Sequence, residues 1–168
     1  MKIVVSEEQI AARVKQLGDE LTSFYADKPL TVIILMNGAL PFGADLVRAI
    51  RLPLRWEAFA VSSYFADRSS GKLNIRSELK NSVAGRHLLV VDDILDTGLT
   101  MKKVMEHFRQ QGALSVRCCV LLNKNVSGKL SVVPDWVGFD IPDRYVVGYG
   151  LDSNEEFRNL PYIAEKED

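Results

Sequence analysis

Cysteine is nearly missing from this chain. Its 168 residues hold two, Cys118 and Cys119, adjacent in an apolar run. That count and spacing exclude a disulfide framework. Neighbouring residues of a strand face opposite sides, so the pair suits core filling and not a shared metal. Histidine is as scarce: His87 and His107 have no partner at metal-ligand spacing. No apolar run approaches the roughly 20 residues of a membrane span. The start, MKIVVSEEQI, lacks both the sustained apolar core and the small-residue cleavage site of a signal peptide, so a cytoplasmic protein is expected. A formal net charge of −1 gives no basis for nonspecific binding to nucleic acid or membrane, and neither is expected as a partner. Repeats, low-complexity tracts and interdomain linkers are also missing.

What is present is ordinary in bulk and unusual in one place. Apolar residues make up 47% and charged residues 26%, as in a soluble globular chain. One domain spanning residues 1–168 is expected, large enough for a core without disulfides or a structural metal. The unusual place is LLVVDDILDTGLT, residues 88–100. Residues 88–91 form the short apolar run of a fully buried strand. Asp92, Asp93 and Asp96 then fall within five positions, followed by Thr97, Gly98 and Thr100. Met101, Val104, Met105 and Phe108 recur at helical spacing. The pattern predicts buried strand, acidic turn, small polar loop and helix. In an open α/β sheet, ligands bind outside the carboxyl end of such a strand.

Small residues at a helix start expose backbone N–H groups that can seat an anion. The carboxylates just before them would repel a phosphate, so they suit hydroxyls, a divalent metal or a proton. A sugar phosphate carries both kinds of group. A single Asp here would read as an N-cap, but three after an uncharged strand exceed what capping needs.

Ser6 and Gln9 have the spacing of a capping box opening a helix, with Ile10, Val14, Leu17, Leu21 and Phe24 on its apolar face. Residues 31–36, TVIILM, predict a second buried strand. It stops at Asn37, Gly38 and Ala39, and a helix follows with Pro41 in its first turn and Phe42, Leu46, Val47 and Ile50 inside. That turn reads equally as an anion loop or as a plain turn. Residues 54–61 predict a strand, and residues 62–72, SSYFADRSSGK, a long polar loop that is either a hairpin tip or a lid. A short return strand at residues 73–75 is expected. Gly112 is expected to cap the central helix. Residues 115–122 predict a further strand, followed by Lys124, which from position alone reads as a solvated loop lysine. Asn125, Val126 and Ser127 match a glycosylation sequon that means little without a secretion signal. Residues 145–147 are the best strand candidate in the aromatic, Gly- and Pro-containing stretch that follows, and residues 165–168 are expected to fray.

These residues resemble the hypoxanthine–guanine type of purine phosphoribosyltransferase, over about residues 31–161. VVDDILDTGLT is similar to the family's motif for phosphoribosyl pyrophosphate (PRPP), in the right strand–loop–helix context. PDWVGFDIPDRYVVGYGLDSNEEFRNLP is similar to its purine-binding and C-terminal segment, and SSYF to its mobile loop. The resemblance implies a type I phosphoribosyltransferase fold, an α/β architecture with a mainly parallel sheet flanked by helices and a small hood over the site. The core would cover roughly residues 28–130, and the hood mainly residues 131–168 with the N-terminal segment. It implies a reaction of PRPP with a 6-oxopurine to give a nucleoside monophosphate and pyrophosphate, with Mg2+ as cofactor. It also implies a homodimer or homotetramer.

By the same resemblance, Asp92 and Asp93 would hold the ribose hydroxyls, and Asp96 would be the general base near purine N7. Thr97, Gly98, Leu99 and Thr100 would wrap the 5′-phosphate. Met36, Asn37 and Gly38 would form the pyrophosphate loop, with Arg158 contacting pyrophosphate. Lys124 would donate to the purine 6-oxo group, Tyr145 would stack on the purine, and Val146 would meet its edge. Asp152 would ligate magnesium, with Asp92 and Asp93 as possible water-mediated ligands. Ser63 and Tyr64 would close over the reaction. Two positions depart from the family pattern: Asn37 stands where Lys, Arg or Thr is common, and Asp92 where many relatives have Glu.

Residues 92–96 also fit the DDxxD metal motif of terpene synthases, which belongs on a helix of an all-helical protein and not after a buried strand. Two alternatives remain open: a PRPP-sensing regulator on the same fold, and a sister enzyme preferring xanthine.

Overall fold

The computed structural model describes residues 1–62, 74–75, 78–126 and 132–167. In chain order the elements are β1 (Lys2–Val5), α1 (Glu7–Phe24), β2 (Leu30–Met36), α2 (Leu40–Ala49), β3 (Leu54–Ser62), β4 (Asn74–Ile75), β5 (His87–Leu95), α3 (Leu99–Arg109), β6 (Ser115–Asn125), β7 (Trp136–Pro142), β8 (Val146–Val147) and β9 (Ile163–Glu165). The larger sheet has the order β4-β3-β2-β5-β6-β7. Five of its strands are parallel, and β4 pairs antiparallel with β3 at one edge.

Continuous apolar runs become parallel strands because helices cover both faces of the sheet. Val32, Ile34, Leu89, Val91, Cys119 and Leu121 face α1 and α2, against Leu17, Leu21, Phe42 and Leu46. Ile33, Leu88, Val90, Cys118 and Val120 face α3, against Val104 and Phe108. The two cysteines therefore fill opposite cores, as expected. Ser6 closes the capping box of α1: its Oγ accepts from the Gln9 N–H at 3.1 Å, and its own N–H donates to Gln9 Oε1 at 2.9 Å.

A second, three-stranded antiparallel sheet, β1-β9-β8, joins the two ends of the chain. It forms the hood. The expected fraying is corrected at residues 165 and 166, because Glu165 pairs with both Lys2 and Val146 and accepts from Arg144 Nη1 at 2.6 Å; residue 168 lies outside the described residues. Lys166 Nζ donates to Ser153 Oγ at 2.9 Å. Strand β1 was not expected; its four residues bury only Val5, too little to read as a periodic pattern. Past residue 130, β7 belongs to the large sheet and not to the hood. Gly112 is not the cap of α3: Gln110 is, and Gly112 takes φ +85° two residues further on. Phe24 is 39% exposed and rests edge-on against Tyr25 and Trp136, with ring centroids 4.9 and 5.1 Å away. Among the described residues no helix is long and apolar enough to cross a membrane.

The chain leaves β2 towards β3 on one side and leaves β5 towards β6 and β7 on the other. A crevice must open between the carboxyl ends of β2 and β5, where the direction of winding reverses. Phe108 is fully buried beneath α3 and holds that helix on β5 and β6. Phe108→Ala should lower unfolding stability by about 3–5 kcal/mol. Urea unfolding should show this as a lower midpoint with unchanged slope; a loss under about 1 kcal/mol would contradict the packing described.

Candidate active site

The crevice contains a cavity of about 600 Å³. Met36, Asn37 and Gly38 line it from the end of β2, residues 92–100 from the end of β5 and the start of α3, and Asp152, Glu155 and Arg158 from the hood side. Three chain segments distant in sequence thus meet where the topology requires a gap. The peptide bond between Met36 and Asn37 is cis.

The acidic motif is not a turn, as the sequence suggests. Strand β5 continues through Leu95, pairing Asp92 with Val120 and Leu95 with Asn123, so Asp92 and Asp93 project from the end of a central strand. A strand end is a more rigid mount than a loop. Asp93 Oδ1 accepts from the Ile94 N–H at 2.7 Å, and Asp92 Oδ1 from the Asp93 N–H at 2.9 Å. Burial, with the repulsion of its Asp93 neighbour, holds the Asp92 carboxyl well above the usual range. Burial also raises Asp93, against the stabilising pull of hydrogen bonds. Gly38 lies directly on Asp93, and a Cβ at residue 38 would collide with the carboxylate.

Asp96 differs from these two. Its side chain is 59% exposed, and its Oδ2 lies 4.0 Å from Lys124 Nζ. Lys124 sits on β6 and not in the loop expected after it, and its side chain is only 13% exposed. Its ammonium lies 3.4 Å from Asp143 Oδ1. The solvated-lysine reading is therefore corrected: β6 runs three residues past the apolar run and carries Lys124 in beside Asp96.

Helix α3 begins at Gly98 in a left-handed conformation, φ +89°, with no side chain capping its first turn. The Leu99 N–H reaches Thr97 Oγ1 at 3.4 Å. The remaining first-turn amides, with Thr97 and Thr100 hydroxyls nearby, suit an anion's oxygens. Across the cavity, Arg158 Nη1 donates to the Gly150 carbonyl at 2.7 Å, while Nη2 lies 3.5 Å from Asp152 Oδ1 and 3.4 Å from Glu155 Oε2.

Tyr145, Val146 and Lys124 do not line this cavity. Lys124 borders it through Asp96. Tyr145 is 53% exposed, just ahead of β8, and its hydroxyl donates to the Asp152 carbonyl at 3.3 Å; Val146 is buried in β8. Ser63 and Tyr64, expected to close over the site, lie outside the described residues. The sequence reading missed Glu155 in the cavity wall and Asp143 beside Lys124. Glu155 takes φ +66° next to Asn154 at φ +53°; only the Asn is of a type that favours this conformation, so little in the sequence pointed to it.

Among the described residues no group of three His, Cys, Asp or Glu side chains could enclose a metal. Magnesium does not need one, because it is often held by one or two carboxylates with substrate phosphates and water. Asp152, with Asp92 and Asp93 on the same cavity, supplies oxygen donors of that kind.

This sheet, hood and crevice define a type I phosphoribosyltransferase. A family model for the phosphoribosyl transferase domain matches residues 3–154. The chain belongs to the hypoxanthine–guanine phosphoribosyltransferase family, enzymes of purine salvage. A hypoxanthine-guanine phosphoribosyltransferase of Bacillus subtilis is 46% identical over 164 residues, covering 97% of this chain and 91% of the relative. A hypoxanthine-guanine-xanthine phosphoribosyltransferase of Tritrichomonas foetus is 37% identical, with coverage of 97% and 90%. The crystal structure of a Staphylococcus aureus hypoxanthine phosphoribosyltransferase superposes with a TM-score of 0.94 at 36% identity, over 99% of this chain and 91% of that one.

The raised Asp92 carboxyl has a consequence for stability. The folded protein holds that proton more tightly than the unfolded chain. The contribution is therefore fully present below the unfolded value, about 3.9, and is lost as pH rises through the raised one. Asp92→Asn keeps the oxygen that accepts from Asp93 and removes the loss. The variant should have the higher Tm at pH 7.5, with the gap closing by about pH 4. A lower Tm at pH 7.5 would show that the buried charge is already compensated.

Proposed function

We propose that this transferase moves the 5-phosphoribosyl group of PRPP to N9 of a 6-oxopurine, hypoxanthine or guanine, giving the nucleoside monophosphate and pyrophosphate. The observation that carries this is the 4.0 Å approach of the Lys124 ammonium to the Asp96 carboxylate at the cavity edge. A 6-oxopurine protonated at N7 has an acceptor at O6 beside a donor at N7. One ammonium and one carboxylate at this spacing match that edge. Adenine has an amino group at position 6 and gives Lys124 nothing to donate to.

The remaining residues divide by charge. As pyrophosphate departs, the ribose carbon becomes cation-like, and Asp92 and Asp93 below it favour that charge while accepting from the ribose hydroxyls. Asp96 takes the N7 proton as N9 bonds to the ribose. The first turn of α3, with Thr97 and Thr100, holds the 5′-phosphate away from the carboxylates. The 36–38 loop and Arg158 receive the diphosphate. Asn37 brings no charge, so among the described residues lining the cavity the cationic part of that task falls to Arg158. Asp152 would help to hold magnesium, which would supply neutralisation of the leaving diphosphate.

A PRPP-sensing regulator is less well supported. The relatives carry enzyme names, and a net charge of −1 does not favour nucleic-acid binding. The test is nucleotide formation from PRPP and Mg2+ with hypoxanthine, guanine, xanthine and adenine in turn. Hypoxanthine or guanine should react and adenine should not. PRPP binding without turnover on any purine would favour the regulator, and a preference for xanthine would favour the sister enzyme.

Two variants test the roles. Asp96→Asn should lower turnover by about 10²–10⁴; an unchanged chemical step in single-turnover measurements would remove Asp96 from that role. Lys124→Ala should mainly raise the purine KM. If PRPP binding alone suffered, the purine-edge assignment would be wrong.

A further inference from the structure

We propose that Tyr149 is a positioning residue for the diphosphate end of the site. Its hydrogen bond to Asp45 on α2 holds Gly150 against Gly38 and so fixes the 36–38 loop relative to Arg158. The proposal rests on reading residues 36–38 as the diphosphate loop.

Tyr149 is 8% exposed, and its hydroxyl donates to Asp45 Oδ2. Asp45 lies on α2, the helix that begins two residues after Gly38, and its other carboxylate oxygen pairs with Arg48 on the same helix. The bond therefore runs from the hood to the helix that carries the loop. Burial and the Asp45 carboxylate both raise the phenol above its ordinary range, so it remains a donor through neutral and alkaline pH.

The backbone around Tyr149 shows what this bond restrains. Tyr149 has φ +50°, which a bulky side chain adopts only when its surroundings impose it. Its N–H donates to the Leu160 carbonyl at 2.8 Å. The next residue, Gly150, has φ +100°, and a Cβ there would collide with the Gly38 carbonyl and stand 3.0 Å from Pro41 Cδ. The Gly150 N–H donates to the Arg158 carbonyl at 2.9 Å, and the Gly150 carbonyl accepts from Arg158 Nη1 at 2.7 Å. One residue thus touches the loop on one side and holds the guanidinium on the other. The side chain that ties this junction to α2 is Tyr149.

A general structural role and a positioning role part company in the kinetics. Tyr149→Phe keeps the ring and removes only the hydroxyl. Losing a hydrogen bond to a charged group at this junction should raise the PRPP KM by about tenfold. The hypoxanthine KM should stay within about twofold, because Lys124 is carried by β6 and Asp96 follows directly on β5. Asp45→Ala should give the same rise. Asp45→Asn, which keeps an acceptor oxygen, should restore the PRPP KM to within about threefold of wild type. The Tyr149→Phe/Asp45→Ala pair should be no worse than either change alone.

An unchanged PRPP KM in Tyr149→Phe would overturn the proposal. So would a loss in which both KM values, kcat and Tm move together, or an Asp45→Asn variant as impaired as Asp45→Ala. Gly38→Ala separates this proposal from the loop assignment beneath it. If Gly38→Ala raises the PRPP KM and Tyr149→Phe does not, Tyr149 has no positioning role and the loop assignment stands. If Gly38→Ala leaves the PRPP KM unchanged, the loop assignment fails and the role of Tyr149 fails with it.

Discussion

The contact on which this molecule depends is the seat of Gly38 on the Asp93 carboxylate. It lies at the carboxyl ends of β2 and β5, where the sheet reverses its winding. Neither residue has room to move towards the other, and Gly150 of the hood presses on the same loop. Three separate stretches of chain therefore meet within a few ångströms, and the cavity is what remains between them. The apolar strands behind the contact supply rigidity but no solvation. Two half-buried carboxylates consequently stand at the end of a strand with their charge disfavoured. In the proposed reaction, a cation-like ribose with hydroxyls to donate would relieve that condition.

The same crowding separates tasks that would otherwise conflict. Carboxylates and phosphates repel, yet under the proposed function this site would hold both. Strand β5 projects Asp92 and Asp93, and the chain then turns through Gly98 into the uncapped start of α3, so acceptors and donors follow one another along one segment. Arg158 reaches the cavity from the hood and is shared between Asp152 and Glu155. Under the proposed function, an arriving diphosphate would compete with those two carboxylates for the guanidinium.

Much of this was legible in the sequence, and for a physical reason. Strands buried on both faces must be continuously apolar, so β2, β5 and β6 announce themselves, and adjacent Cys118 and Cys119 are assigned to opposite cores by strand geometry alone. The capping box of α1 is local chemistry and was equally visible. Features made by distant pairing were not. Strand β1 exists only because β9 lies beside it, and Glu165 is ordered because it has a strand on each side. Lys124 looked like a loop residue because hydropathy falls after Leu122, whereas hydrogen bonding to β7 carries β6 to Asn125. The Tyr149–Asp45 bond joins residues 104 positions apart and leaves no mark on any local pattern. The acidic motif fell between these cases: its chemistry was legible and its conformation was not, since a carboxylate at a strand end and one in a turn have the same neighbours in sequence.

Where PRPP binds is the decisive question for this molecule. Titration of PRPP and Mg2+ into 15N-labelled protein without a purine, followed by backbone amide chemical shifts, locates the site without turnover. The shifts should concentrate at residues 36–38, 92–100 and 150–158. The second crevice, bordered by Lys102, Arg109 and Arg117 on the outer side of α3 and β6, should remain silent. Shifts centred on that crevice, with residues 36–38 and 92–96 unmoved, would contradict the account.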